Sequence, residues 1–250
     1  MGSEAEQIVL PSGKTATLVA THTLTPINDS QVKVVPVALP SAKVVVVLVG
    51  GAGDKKRFLG NGPNHNIQPA EAPLRRFVEH NVELGPRKTF EVLYLGYYEI
   101  FEDARIQANV MPSLTDLGTK VYIVGHSLGG WNGAHLSKIL TDKGYDVKML
   151  ITLDPVGKSP TLELWSKIYN TLPVPAAKKW INIKAQPSHS NITDVVAWAG
   201  EKWIITSGPD INVTVDVNHA EAISMLYASL DGGESAFQML EMAIFEDLSK

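Results

Sequence analysis

A serine framed by glycines, Gly125-His126-Ser127-Leu128-Gly129, stands where the β-branched run Val121 to Val124 gives way to a helical pattern, Trp131 to Leu140. A hydroxyl becomes a nucleophile only when a neighbouring base takes its proton. Gly-x-Ser-x-Gly between a strand and a helix is the sequence form of a sharp elbow that presents such a serine at a sheet edge. The glycines let strand and helix approach closely, and the helix N-terminus favours negative charge. A glycine-rich turn with an idle serine carries the same five letters. The strand before and the helix after are what separate the two readings.

The base must come from one of seven histidines, at 22, 65, 80, 126, 135, 189 and 219. His126 is too near Ser127 in sequence to fold back onto it. His80 and His135 lie on helical patterns and His22 inside a strand pattern. His65 and His189 lie in polar loops and remain candidates. His219 directly follows the alternating strand pattern Ile211 to Val217 and precedes a helix, so it should open at the same sheet edge as Ser127. It is the expected base. The acid that orients it should fall between them in chain order. Asp154, Glu163, Asp194, Asp210 and Asp216 qualify by type. Asp154 ends a strand and is fixed by Pro155, so it is favoured, with Asp194 the alternative. Two N–H donors are needed for the oxyanion. One is assigned to Leu128, directly after the serine. The other is assigned to Ala52 in Gly50-Gly51-Ala52-Gly53-Asp54, with Gly51 or Gly53 as alternatives. Neither phosphate-loop spacing of glycines is present there. Gly51, Tyr97 and Trp165 are expected to touch substrate. Lys55, Lys56 and Arg57 either meet a phosphate group or form a solvated charge run.

The elements that must position these residues alternate. Val44 to Val49, Thr89 to Leu95, Val121 to Val124, Val147 to Leu153, Trp180 to Ala185 and Ile211 to Val217 read as strands. Pro73 to Glu83, Trp131 to Leu140, Ala220 to Leu230 and Ala236 to Leu248 read as helices. A further helical pattern through Ile106 and Leu117 should be split by Pro112. Thr15 to Leu24 and Val32 to Leu39 read as two strands joined by a turn, an antiparallel edge. The expectation is an α/β fold in one domain over 1–250, with a mostly parallel central sheet, that antiparallel N-terminal edge, and helices on both faces. Residues 155–179 break the rhythm. Leu162, Leu164, Trp165, Ile168 and Tyr169 there give either a lid with an apolar face or a packed surface helix. In such a sheet, ligands bind at the carboxyl ends of the strands.

Bulk properties narrow the partners. A net charge of −4 gives no electrostatic reason to expect nucleic acid. The longest apolar run, Val44 to Val49, is far shorter than the ~20 residues of a membrane span. The N-terminus lacks a basic region followed by an apolar one, so no signal peptide is expected. That leaves a cytoplasmic location or export by a signal-independent route. With no cysteine, disulfides, thiolate metal sites and cysteine nucleophiles are excluded, and the proposed chemistry requires no metal or organic cofactor.

From about residue 15 to 230 the chain resembles the α/β-hydrolases, most of all their serine lipase and esterase branch. Gly125 to Gly130 has the elbow wording common among lipases. Ile151-Thr152-Leu153-Asp154-Pro155 is similar to the acid-bearing segment of pancreatic-type lipases, and Asn218-His219-Ala220 resembles the histidine loop of many bacterial hydrolases. Many relatives have His-Gly where this chain has Gly50-Gly51. The resemblance implies a serine hydrolase of carboxylic esters, a lipase, esterase or phospholipase, acting on a lipid or small ester with transient contact to a lipid surface. An acyl thioesterase using the same residues and a non-catalytic binding module are the alternatives. Antibacterial phospholipase toxins are one resembling group, and membership would imply a cognate immunity protein.

Overall fold

Five valines and one leucine in a row, Val44 to Val49, are fully buried, which requires protein on both faces of their strand. The computed structural model describes residues 5–9, 15–19, 42–58, 60, 62–85, 88–157, 159, 166–230 and 232–250. The chain divides into two units, Met1–Ala38 and Leu39–Lys250. In the first, β1 (Ala5–Val9) pairs antiparallel with β2 (Thr15–Val19).

The second unit holds β3 (Ala42–Gly50), α1 (Glu71–Asn81), β4 (Lys88–Gly96), α2 (Asp103–Asn109), β5 (Lys120–His126), α3 (Leu128–Asp142), β6 (Asp146–Leu153), β7 (Lys179–Ala185), α4 (Ile192–Ala199), β8 (Ile211–Val215), α5 (Ala222–Tyr227) and α6 (Ala236–Ser249). Its sheet has the order β4-β3-β5-β6-β7-β8, and every pairing in it is parallel. The chain starts at β3, steps to β4, and then crosses back over β3 to β5. That reversal is a topological switch point, where a crevice opens at the carboxyl ends of the strands.

Period-2 alternation divides the core. Val44, Val46 and Leu48 pack with residues of α1, α5 and α6, while Val45, Val47 and Val49 pack with residues of α2, α3 and α4. Helices therefore cover both faces, as the alternating pattern implies. On the first face Tyr122 of β5 donates to Asp247 of α6 at 2.7 Å, and Lys148 of β6 pairs with the same carboxylate at 3.2 Å. Burial and that carboxylate push the Tyr122 hydroxyl far up from its ordinary value, so it stays a neutral donor.

Two expectations are corrected. Among the described residues the six-stranded sheet has no antiparallel edge. Thr15–Val19 takes Ala5–Val9 as its partner instead, because the shorter connection closes a local hairpin. Val32 to Leu39 lies outside the described residues. Second, Ile192–Ala199 is helical where the pattern assigned neither strand nor helix. Asn191 caps it, accepting from Thr193 N, and Asp194 reciprocates onto Asn191 N. The helix at Ile106 does break near Pro112, with α2 ending at Asn109 and a single 3₁₀ turn following at Met111–Ser113.

Candidate active site

β5 runs buried to His126 and turns sharply at Ser127, which has φ 57° and ψ −126°. A non-glycine residue there is strained, and the turn is held from three directions. Ser127 N donates to Leu153 O at 3.0 Å, and Ser127 O accepts from Gly130 N at 2.9 Å and Val156 N at 3.2 Å. The elbow glycines are sterically required. A Cβ on Gly125 would strike the backbone of Gly129, and one on Gly129 would strike that of Val49.

β6 ends one residue before Asp154, which has φ 41°. Its backbone N donates to Ile183 O at 2.7 Å, and its Oδ1 accepts from Ala185 N at 3.2 Å. The carboxylate is thus anchored to the end of β7. Beyond β8, His219 is brought back across the sheet edge. Its Nδ1 lies 2.7 Å from Asp154 Oδ2 and its Nε2 lies 2.9 Å from Ser127 Oγ. The carboxylate accepts only, so the Nδ1–H tautomer donates to it and leaves the Nε2 lone pair facing the serine hydroxyl. Burial opposes ionisation of Asp154, but His219 and then Lys202 outweigh it and hold the carboxyl below the usual carboxylate range. Ser127, Asp154 and His219 are each buried, at 7%, 1% and 7% exposure, so solvent screens this chain of hydrogen bonds weakly.

The alternative acid, Asp194, reaches the same histidine differently. Its Oδ1 accepts from His219 N at 2.8 Å, bracing the backbone and leaving the ring to Asp154. His65 and His189 contribute nothing to this cluster, and His22 lies outside the described residues.

The β3 loop packs directly on Ser127. A Cβ on Gly51 would stand 2.6 Å from Ser127 Cβ and 3.1 Å from Ser127 Oγ, so only glycine fits. Gly53 has φ +71°, a second glycine requirement. The loop is tied by Asn64 N to Gly53 O at 2.8 Å and His65 N to Asp54 O at 3.1 Å. Tyr94 OH donates to the fully buried Asp54 Oδ1 at 3.1 Å. Burial pushes the Asp54 carboxyl up from its ordinary value. Leu128 is the first residue of α3, so its N–H has no acceptor within the helix. Ala52 is half-buried against the core beside Val49. A hollow of about 120 Å³ opens beside Gly51, lined also by Lys56, Arg57, Phe58, Tyr97 and Tyr98.

In the run Lys55-Lys56-Arg57, Lys55 is engaged by Glu99 at 2.8 Å, and Lys56 sits 4.6 Å over the Tyr98 ring. The 155–179 stretch is described only in part. Trp165, Leu162 and Leu164 lie outside the described residues. Ile168 is a buried core residue, and Tyr169 O accepts from Trp131 Nε1 at 2.8 Å, so the described end packs on α3.

Sequence reasoning missed three supporting groups. His126 Nε2 donates to His219 O at 2.7 Å and its ring lies 5.0 Å from that of His219. Burial first, then the His219 charge, lowers its pKa to about 3. Asp54 and Lys202 are the others. No motif marks any of them. A capping-box pattern at Asn191 and Asp194 was the available signal for the Asp194 brace.

No protein-family model and no curated protein matches this chain. Solved structures do resemble it. They include the type II thioesterase YbtT from the yersiniabactin biosynthetic pathway, at 12% identity over 84% of this chain and 94% of that one, TM-score 0.39. The esterase domain of a Rhodothermus marinus protein is 12% identical over 98% and 99% of the two chains, TM-score 0.37. The metagenomic carboxyl esterase MGS0156 is 14% identical over 90% and 77%, TM-score 0.37. A parallel sheet in the order β4-β3-β5-β6-β7-β8, helices on both faces and a strained serine between β5 and α3 together give this chain the α/β-hydrolase fold.

Proposed function

We propose that the protein is a serine hydrolase of carboxylic esters. The observation that carries this reading is the unbroken chain Ser127 Oγ, His219 Nε2, His219 Nδ1, Asp154 Oδ2, with links of 2.9 and 2.7 Å. Ser127 Oγ attacks the ester carbonyl while its proton passes to His219 Nε2. Asp154 stabilises the imidazolium so formed. The tetrahedral oxyanion is bound by the Leu128 N–H and by an N–H of the β3 loop, assigned to Ala52. Collapse expels the alcohol, which takes the proton from His219 and leaves an acyl-Ser127 ester. Water, deprotonated by His219, then releases the acid and restores the serine.

The hollow beside Gly51, with Tyr97 in its wall, receives one arm of the substrate in this reading. Ile192, Val195, Val196 and Trp198 of α4 are exposed, at 55% to 78%. This apolar face, on the helix that braces His219, supports an ester presented at a lipid surface, as for a lipase or phospholipase. Among the described residues, no helix is long and apolar enough to cross a membrane.

Hydrolysis of p-nitrophenyl esters from acetyl to palmitoyl tests the reading, with Ser127→Ala as the comparison. The expected result is turnover in the native protein and a loss of roughly 10³-fold or more in kcat for the variant. A long-chain optimum supports the lipid-surface reading, and a short-chain optimum confines it to a small-ester esterase. Turnover only of acyl thioesters transfers the same residues to a thioesterase.

A further inference from the structure

Lys202 Nζ lies 2.7 Å from Asp154 Oδ2, the same oxygen that accepts from His219 Nδ1. The amine also donates to Ala185 O at 3.2 Å. Its placement follows from the chain around it. Val156 and Lys202 form an antiparallel bridge, and Trp203 N donates to Pro155 O at 2.8 Å. The Trp203 ring packs on those of Trp131 and Trp180, with centroids 5.7 and 5.6 Å apart. The segment carrying Lys202 is therefore strapped to the residues directly after the acid. The Lys202 side chain is 20% exposed and that of Asp154 only 2%, so water screens their attraction weakly.

Other charges near the pair have their own partners. Lys184 lines the same cavity behind Asp154, but its amine turns to Gln186 Oε1 at 3.4 Å. Asp194 meets His219 only through its backbone N–H, and Glu221 accepts from Asn218. His126 faces the His219 ring, and its lowered pKa keeps it neutral at working pH. Lys202 is thus the only lysine or arginine within ion-pair distance of the Ser127-His219-Asp154 chain among the described residues.

A lone carboxylate beside a histidine favours the imidazolium. A fixed ammonium on the same oxygen opposes it, by an amount that falls with distance and dielectric. We propose that Lys202 is a positioning residue: it fixes Asp154 Oδ2 toward His219 and, by opposing protonation of His219, extends ester hydrolysis to lower pH. The hydrolytic half of this statement rests on the function proposed above; the electrostatic half does not.

The test measures kcat/KM against pH on a neutral ester for the native protein, Lys202→Met and Lys202→Arg. In parallel, the His219 imidazole is titrated by nitrogen NMR in a Ser127→Ala background with each Lys202 residue. In Lys202→Met, both the acid limb and the NMR midpoint should move up by about one pH unit or more, and Lys202→Arg should bring both back toward the native positions. Unmoved midpoints overturn the proposal, however far activity or stability falls, because a merely structural ion pair would give that pattern. If Lys202→Met does not fold, Lys202→Gln carries the same comparison. If nothing is hydrolysed yet the NMR midpoint shifts, the ester-hydrolase reading fails and the electrostatic role of Lys202 stands.

Discussion

At the scale of single residues, His126 directly precedes Ser127, and its ring is spent on the loop that delivers His219. The bond from Nε2 to His219 O ties that loop to the turn at Ser127. Its lowered pKa, about 3 against an ordinary 6.5, is also a statement about stability. Because the folded value lies below the unfolded one, the folded state binds fewer protons between them. Stability is therefore complete above about 6.5 and is lost as pH falls toward 3. Chemical unfolding at stepped pH should show this slope in the native protein and a shallower one in His126→Asn. Gly51→Ala should lower kcat/KM at least tenfold and lower the melting temperature as well, since the added methyl would strike Ser127 Cβ and crowd the His126 carbonyl. Enzyme assay and calorimetry on the same sample check that pair of outcomes. Ser127, Asp154 and His219 were legible as one group because each follows a strand pattern in chain order, and their side chains do lie within hydrogen-bond distance of one another. His126, Asp54 and Lys202 were not, because each serves through a contact across tens of residues that no spacing records. Asp194 was singled out in sequence for the right neighbour and the wrong atom: it holds the histidine's backbone.

At the scale of elements, β3 decides most. A β-branched run buried on both faces belongs in the middle of a parallel sheet, and its loop then falls beside the elbow. Leu48 is fully buried within it, and Leu48→Ala should destabilise the protein by about 2–5 kcal/mol. The shift in the denaturant midpoint at unchanged slope measures this. The strands of the second unit were readable because continuous apolar runs between glycine and proline have few other interpretations. Two elements were not. The strand at Ala5–Val9 was not read, since β-character at Thr15 names a strand and not its partner. Helix α4 was missed because eight residues, four of them large, apolar and exposed, carry no inward-facing stripe. Only Asp194 and Ala197 face in, and that is enough to brace His219 N.

At the scale of the whole second unit, the two cores on either side of one sheet meet the chemistry at a single edge. β5 leads into Ser127, β6 into Asp154, the chain after β8 carries His219, and the loop after β3 lies against Ser127. Ser127 and Asp154 each follow directly on a strand of the sheet, and the loop that carries His219 is held by Asp194 and His126. The central claim is that this edge makes Ser127 nucleophilic through His219. Labelling with a fluorophosphonate, read by mass spectrometry of the Ser127 peptide, tests it without knowledge of the substrate. A stoichiometric adduct on Ser127 is expected in the native protein, with labelling slowed by roughly 10³-fold or more in His219→Gln. Absence of an adduct, or equal labelling rates in the two proteins, would contradict it.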